Sequence, residues 1–480
     1  MMTKEEIERI ASQVAAKLSA GSARAGFAMA GSAVAGSGHH SLGGWLFDTM
    51  DEAVAQAQDA QRQLCKMTLE ERGKLIEAMR RSARNNALKL AEMAHEETGY
   101  GHVEHKVLKN LLAADKTPGI EDLKTQAWSG DYGLTLVEMA PFGVIGSITP
   151  STNPPSTVIN NSISMITAGN AVVFNPHPAA KKVSQETMRI LNEAIVSAGG
   201  PGGLITTVRE PTLETGTALM NHKDVPLLAI TGGEPVVRAA MKTGKKVIAA
   251  GPGNPPVIVD DTAILEKAAK DIVDGASFDN NVLCVAEKEI FAFDSITDAL
   301  IAEMIRHGAF QIRGEDIDKV LALTLIKKDG EYVINRKYVG RDAAVILRDA
   351  GVAFTGNPRL VIAETDPYHP FIMTEMLMPV LGIARVRDID DAVAHAIRAE
   401  QGRQHSALIH STNIKNMSYA AQALNTTIFV KNAPSYSGLG FNGEGYATLT
   451  IATPTGEGLT AAHSFTRARR CVLYGDFRIV

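Results

Sequence analysis

The stretch that decides the fold runs from Gly143 to Asn175 and reads GVIGSITPSTNPPSTVINNSISMITAGNAVVFN. An apolar run over 143–149 leads into a helix-like segment from about Ser156 to Ala168, and a second run follows over 171–175. Working outward, a longer helical pattern covers 180–198 and stops at Gly199 and Gly200. Short apolar runs come next at 204–208, 225–230 and 246–250, with helical segments between them. A second block repeats the theme, with runs at 256–259, 287–293, 359–363, 380–386, 407–410 and 426–430. Buried runs of about five residues alternating with helices predict βαβ units and parallel sheets. The fold class is α/β, with two such domains in sequence, a crevice between them, and ligands beyond the carboxyl ends of the strands.

Composition narrows the class further. The chain has 480 residues, 45% hydrophobic and 21% charged, which is ordinary globular usage and enough for large cores. Its three cysteines, Cys65, Cys284 and Cys471, are too few and too far apart for a disulfide scaffold or a CxxC site. They suit a reducing cytoplasm. A net charge of −5 gives no overall basic footprint for nucleic acid, and no run approaches the ~18 apolar residues that a membrane span needs.

The first residues form a separate object. Thr3 and Glu6 have capping-box spacing, and Ile7, Ile10, Val14 and Leu18 recur at helical intervals. An amphipathic helix is expected over 1–20, followed by a flexible Gly/Ala/Ser-rich linker over 21–44. A helix on a tether points to docking on a partner, the alternative being packing on its own subunit.

Cys284 sits in FDNNVLCVAEKEIFAF, between a helix end and an apolar run, a junction that can expose a thiol at a crevice, although a lone cysteine among apolar residues by itself reads as inert core; Cys65 and Cys471 keep the inert reading. Ile230-Thr231-Gly232-Gly233 closes one run and opens a helix over 234–243, a place where backbone N–H groups can cradle a pyrophosphate; with Glu234 opposing an anion there, an ordinary glycine turn is the alternative. The GxGxxG at 438–443 lacks the strand before it and the helix after it that its mechanism requires. The absence of G-x-x-x-x-G-K-[ST], H-E-x-x-H and G-x-S-x-G excludes kinase, zinc-protease and serine-hydrolase readings, and no metal is expected.

Together these motifs resemble the aldehyde dehydrogenase superfamily from near Trp45 to the end of the chain. PFGVIGSITPSTNPPS at 141–156 is similar to the segment that ends in the family's oxyanion asparagine, which falls on Asn153. ITGG resembles the nucleotide loop, Cys284 falls on the nucleophile, and TEMLMPV at 374–380 is similar to the segment whose glutamate, Glu375, holds the nicotinamide ribose. The order and separations agree, at 131 residues from Asn153 to Cys284 and 91 more to Glu375. Two departures resemble the coenzyme A-acylating branch. The stretch 250–256, AGPGNPP, lacks the glutamate that activates water in hydrolytic members, and VFNPHP lacks the adenine-side lysine, leaving Asn175 and His177 there. The N-terminal helix and the C-terminal segment resemble the propionaldehyde and acetaldehyde dehydrogenases of bacterial microcompartments, whose N-terminal helix directs them into the shell.

The resemblance implies an NAD-binding Rossmann-type domain over 45–123 and 141–252 and a catalytic cysteine domain over 253–445. It implies a small β oligomerisation arm and C-terminal segment over 124–140 and 446–480, and hence a dimer or tetramer in a microcompartment lumen. NAD is expected on Thr149, Pro150, Asn175, His177, Thr231, Gly232, Gly233 and Glu375, with coenzyme A as co-substrate. Cys284 is expected to attack a short aldehyde, with Asn153 and its own N–H holding the oxyanion and coenzyme A taking the acyl group. Propionaldehyde is favoured, with acetaldehyde or a hydrolytic reaction as alternatives. His369 stands as an assisting base or coenzyme A contact, or as a loop histidine. Arg467, Arg469 and Arg470 meet coenzyme A phosphates or form subunit salt bridges.

Overall fold

The computed structural model describes residues 44–480. The expected helix over 1–20 and the linker as far as residue 43 lie outside the described residues. Six parallel strands form the first sheet, in the order Leu46–Phe47, Ile205–Val208, Ala171–Pro176, Val144–Thr149, Leu227–Thr231, Lys246–Ala250. From Val144–Thr149 the chain winds one way to Ile205–Val208, then returns to place Leu227–Thr231 on the other side. That reversal opens a crevice at the carboxyl ends, between Thr149 and Thr231.

Helix Pro154–Thr167 follows the central strand and is buried along its whole length. Its two leading prolines occupy the first turn, where a missing N–H costs little. Before the sheet come helices Met50–Leu64 and Leu69–Asn85, each opened by a Thr/Glu capping box, then Ala87–Thr98 and Val103–Lys116.

The second sheet has seven parallel strands, in the order Ala309–Ile312, Leu360–Glu364, Val380–Val386, Glu289–Phe293, Pro256–Val259, Ser406–His410, Ile428–Lys431. Residues 251–255 alone join the last strand of the first sheet to Pro256–Val259. At about 3.3–3.6 Å per residue, so short a link holds the carboxyl end of one strand close to the amino end of the next. Gly253, Cys284, Glu375 and His405 accordingly all precede strands of the second sheet. Of the expected site residues, Thr149 and Thr231 thus end strands of the first sheet, whereas Cys284 and Glu375 precede strands of the second, at its amino ends rather than its carboxyl ends.

A third, antiparallel sheet joins Gln126–Gly130, Gly133–Pro141 and Thr466–Tyr474. Arg467, Arg469 and Arg470 lie exposed along its last strand. Residues 447–465 do not follow this sheet. They pack on the first domain, where the carboxamides of Asn160, Asn161 and Asn170 bond Leu449 N–H, Thr450 Oγ1 and Phe465 C=O. No helix among the described residues is long and apolar enough to cross a membrane.

Candidate active site

The loop that carries Cys284 is fixed before the cysteine is reached. Asp279, Asn280 and Asn281 are left-handed in succession, with φ of 50°, 52° and 66°. Asp and Asn visit this region more readily than other side-chain-bearing residues, and here each is pinned. The Asp279 carboxylate accepts from Lys106 Nζ at 3.0 Å, from His102 N–H at 2.8 Å and from Lys109 Nζ. Asn280 donates to Asp342 Oδ1 at 2.7 Å, and Asn281 donates to the carbonyls of Ala276 and Glu287. Lys288 reaches back to the carbonyls of Asn281 at 2.9 Å and Leu283 at 3.2 Å. Strain of this kind persists only where the surroundings over-determine it, and it gathers at functional sites. Cys284 follows, partly accessible, with the N–H groups of Cys284 and Val285 bonding its sulfur.

Burial pushes the Cys284 thiol up to about 12, and the Glu375 carboxyl adds to the rise while Lys288 opposes it. The thiol is therefore protonated at neutral pH in the free protein. Burial also lifts Glu375 above the ordinary carboxyl range, against Lys288 and Arg403, and pushes Lys288 down to about 8. Gly253 lies between these groups. Its N–H donates to Glu375 Oε1 at 3.4 Å and its carbonyl accepts from Arg403 at 3.1 Å. A Cβ on Gly253 would lie 2.7 Å from the Cys284 carbonyl oxygen and 3.1 Å from the His405 ring, so only glycine fits. Burial holds the His405 imidazole down at about 4, with Lys288 and Arg403 acting the same way. The ring is neutral at pH 7; Nδ1 meets Ser406 Oγ at 2.8 Å, and the buried Nε2 has no partner.

Asn153 is the N-cap of Pro154–Thr167, where its Oδ1 accepts from Lys109 Nζ at 2.6 Å and its Nδ2 donates to Thr152 Oγ1 at 3.2 Å. Lys109 also lines an apolar cavity with Leu112, Phe278, Leu283, Tyr436 and Leu439, which admits roughly one water-sized group. The cavity thus ends one residue before Cys284 in the chain. Its far wall comes from 435–441, the neighbourhood of the misleading GxGxxG. Ser435 anchors that segment by donating from N–H and Oγ to Glu287 at 2.8 and 2.7 Å.

At the first sheet's switch point, the Thr149 hydroxyl is buried without a partner just before Pro150. Thr231 Oγ1 meets Thr450 Oγ1 at 2.9 Å. A Cβ on Gly232 or Gly233 would meet nothing nearer than Val236 at 3.9 Å or Pro235 at 3.7 Å, so the start of helix Glu234–Met241 is open to a ligand. Gly232 N–H donates to Ala250 C=O at 3.3 Å, and the orphaned Thr149 hydroxyl together with the uncovered helix start after Gly233 fits a dinucleotide at a switch point.

The remaining expected residues serve their own neighbourhoods. Asn175 donates to Thr212 C=O at 3.2 Å and accepts from Thr215 Oγ1 at 2.7 Å, pinning helix Leu213–Asn221. His177 caps its own turn by accepting from Ala179 N–H at 3.1 Å. His369 does likewise for Phe371 N–H at 3.2 Å, beside the Asp366 and Asp318 charges. Sequence reasoning missed Lys109, Lys288, Arg403 and His405. For Lys109 one signal existed: Lys106, Lys109 and Asn110 interrupt the buried face that Val107, Leu111 and Ala114 mark on helix Val103–Lys116.

The profile of the aldehyde dehydrogenase family matches residues 47–446. An acetylating acetaldehyde dehydrogenase, EutE, of Escherichia coli is 46% identical over 482 residues, covering 100% of both chains. A propionaldehyde dehydrogenase from the fucose-utilisation microcompartment of Clostridium phytofermentans is 49% identical with a TM-score of 0.88, covering 91% of this chain and 99% of that one. A propionaldehyde dehydrogenase of Rhodopseudomonas palustris, solved with bound CoA and an acylated cysteine, is 47% identical with a TM-score of 0.88 and covers 91% and 99%. Matched by the family profile over most of its length and 46% identical to a relative it covers end to end, the chain belongs to the aldehyde dehydrogenase family.

Proposed function

We propose that this protein oxidises a short aldehyde to its coenzyme A thioester, with NAD as hydride acceptor. The single observation carrying the reading is Gly253. In the stretch where hydrolytic members place their water-activating glutamate, a side chain would strike Cys284 and His405, and no carboxylate occurs over 250–256. Water is a poor nucleophile without a base, and a positioned base is worth about 10²–10⁴-fold. A thiol needs less help, because a few per cent of it is already ionised at neutrality and its thiolate is intrinsically nucleophilic.

In this reading the Cys284 thiol gives up its proton to solvent water as its sulfur attacks the aldehyde carbonyl, and the thiohemiacetal oxyanion is held by Asn153 Nδ2 and the Cys284 N–H. The dinucleotide, when bound, supplies the hydride acceptor. Thr149, Pro150, Thr231, Gly232 and Gly233 hold it at the switch point, with Asn175 and His177 bordering the adenine side and Glu375 at the ribose. Loss of hydride leaves a thioacyl group on Cys284, which the coenzyme A thiol attacks to free the cysteine. The proton acceptor for that thiol is the neutral His405, whose Nε2 is free, in preference to His369, whose Nδ1 is committed to a helix cap.

Propionaldehyde is the favoured substrate and acetaldehyde the second reading, since similar proteins include dehydrogenases of each. Residues 1–20 are proposed to direct the enzyme into a microcompartment lumen, as the source of one similar structure suggests. The third sheet is proposed to pair subunits into a dimer or tetramer, because Trp128, Tyr132, Val472 and Tyr474 stand exposed on it.

The test follows NADH formation from purified protein, propionaldehyde and NAD, with and without coenzyme A. Sustained turnover only with coenzyme A, yielding propionyl-coenzyme A by mass spectrometry, is expected. Equal turnover without it, yielding propionate, would overturn the acylating reading.

A further inference from the structure

We infer that Lys109 is a positioning residue of the oxyanion site, acting through Asn153. Lys109 is 4% exposed and its ammonium has two recorded partners, the Asp279 carboxylate and Asn153 Oδ1 at 2.6 Å. An ammonium donates only, so the Asn153 carboxamide must turn its oxygen toward Lys109 and its NH2 the other way. The pair removes the flip that would otherwise exchange donor and acceptor in the hole. A charged donor on the amide oxygen also polarises the group, making the opposite N–H a stronger donor to a developing oxyanion.

Asp279 completes the device. It is fully buried, belongs to the left-handed turn that leads to Cys284, and is braced by Lys106 and His102 N–H. The same carboxylate therefore anchors the nucleophile loop and the ammonium that orients Asn153, fixing the two halves of the oxyanion site relative to each other. Gly101 makes this approach possible: it is left-handed, and a Cβ there would lie 1.8 Å from Asp279 Oδ1. Burial pushes Lys109 down to about 8 while the Asp279 charge works to keep it protonated.

This inference rests on the proposed role of Asn153, and a double-mutant cycle tests the two separately. Asn153→Ala should lower kcat by about 10²–10³-fold, as removal of one oxyanion donor does. Lys109→Met should lower kcat by at least ~10-fold with the aldehyde KM nearly unchanged, because the lost interaction belongs to the transition state. The double variant should be no slower than Asn153→Ala alone, since Lys109 has nothing left to orient. Losses that multiply in the double variant, or full activity of Lys109→Met, would overturn the inference while leaving the Asn153 reading intact. Full activity of Asn153→Ala would instead overturn that reading. NAD binding and thermal melting report folding. Should Lys109→Met not fold, Lys109→Gln enters the same cycle: it keeps an N–H donor without the charge, is expected to fall between wild type and Asn153→Ala, and wild-type kcat from it would refute the role of charge.

Discussion

At the nucleotide wall of the crevice, a carbon added to Gly232 or Gly233 meets nothing within 3.7 Å, whereas at the catalytic wall a carbon added to Gly253 falls 2.7 Å from the Cys284 backbone. The first wall offers an uncovered glycine turn and one orphaned hydroxyl, that of Thr149. The second converges the buried Lys106, Lys109, Asp279 and Lys288 on one loop, with the half-buried Glu375 bonded beside it to Gly253 N–H. A wall that grips a diphosphate by its backbone needs few side chains and little rigidity. A wall that aims a thiol and an amide at one developing charge needs its groups held against flips and strain, and buried ion pairs to a strained turn do that.

The widest gap between the walls should open at the nucleophile. Cys284→Ser is expected to lose at least ~10⁴-fold in turnover, as loss of a nucleophile does elsewhere, while NAD still binds. NAD titration by fluorescence alongside NADH assays checks this, and substantial residual activity would sink the nucleophile assignment. Next comes the buried anchor. Asp279→Ala strands Lys106 and Lys109 without their shared counter-charge and should destabilise the fold by about 3–5 kcal/mol, read from urea unfolding.

A matched glycine pair then sets the walls against each other. Gly253→Ala should cost about 1–3 kcal/mol through overpacking and reduce turnover by roughly 10²-fold through misplacement of Cys284. Gly232→Ala should stay within about 0.5 kcal/mol of wild type and act mainly on the NAD KM. Equal effects at the two positions would remove the distinction. The smallest effect concerns the thiol. Its protonated form dominates below about 12, so alkylation of free protein by iodoacetamide should accelerate with rising pH throughout the neutral and alkaline range. Glu375→Gln removes a charge that opposes the thiolate and should speed alkylation at pH 8, whereas Lys288→Met removes one that favours it and should slow the reaction. Mass spectrometry of alkylated Cys284 against time gives both rates.

Much of this was legible in the chain. The apolar runs at 143–149, 171–175 and 380–386 became strands within a residue or so of their expected limits, because a buried strand is a short local pattern. Leu46–Phe47 and Thr466–Tyr474 were not legible: the first is two residues long, and the second is an exposed strand that opens on three arginines and carries only the four apolar residues 471–474. Asn175, His177 and His369 drew attention as polar residues near motifs; the two histidines cap turns two residues on, whereas Asn175 bonds Thr212 and Thr215, 37 and 40 residues away, a pairing that only folding creates.

The sequence by itself determined the two α/β units, the place of Cys284 at a helix–strand junction and the lack of a carboxylate over 250–256. Each depends on neighbours a few residues away or on residue identity alone. Only the tertiary structure decided that the amino ends of the second sheet face the carboxyl ends of the first, and that Lys109 meets Asn153, Lys288 the Cys284 loop, and Arg403 and His405 the Gly253 backbone. The reason is physical. Asp279 and Lys109 are separated by 170 residues, and a charge pair reveals itself only when folding has excluded the water that would otherwise satisfy both.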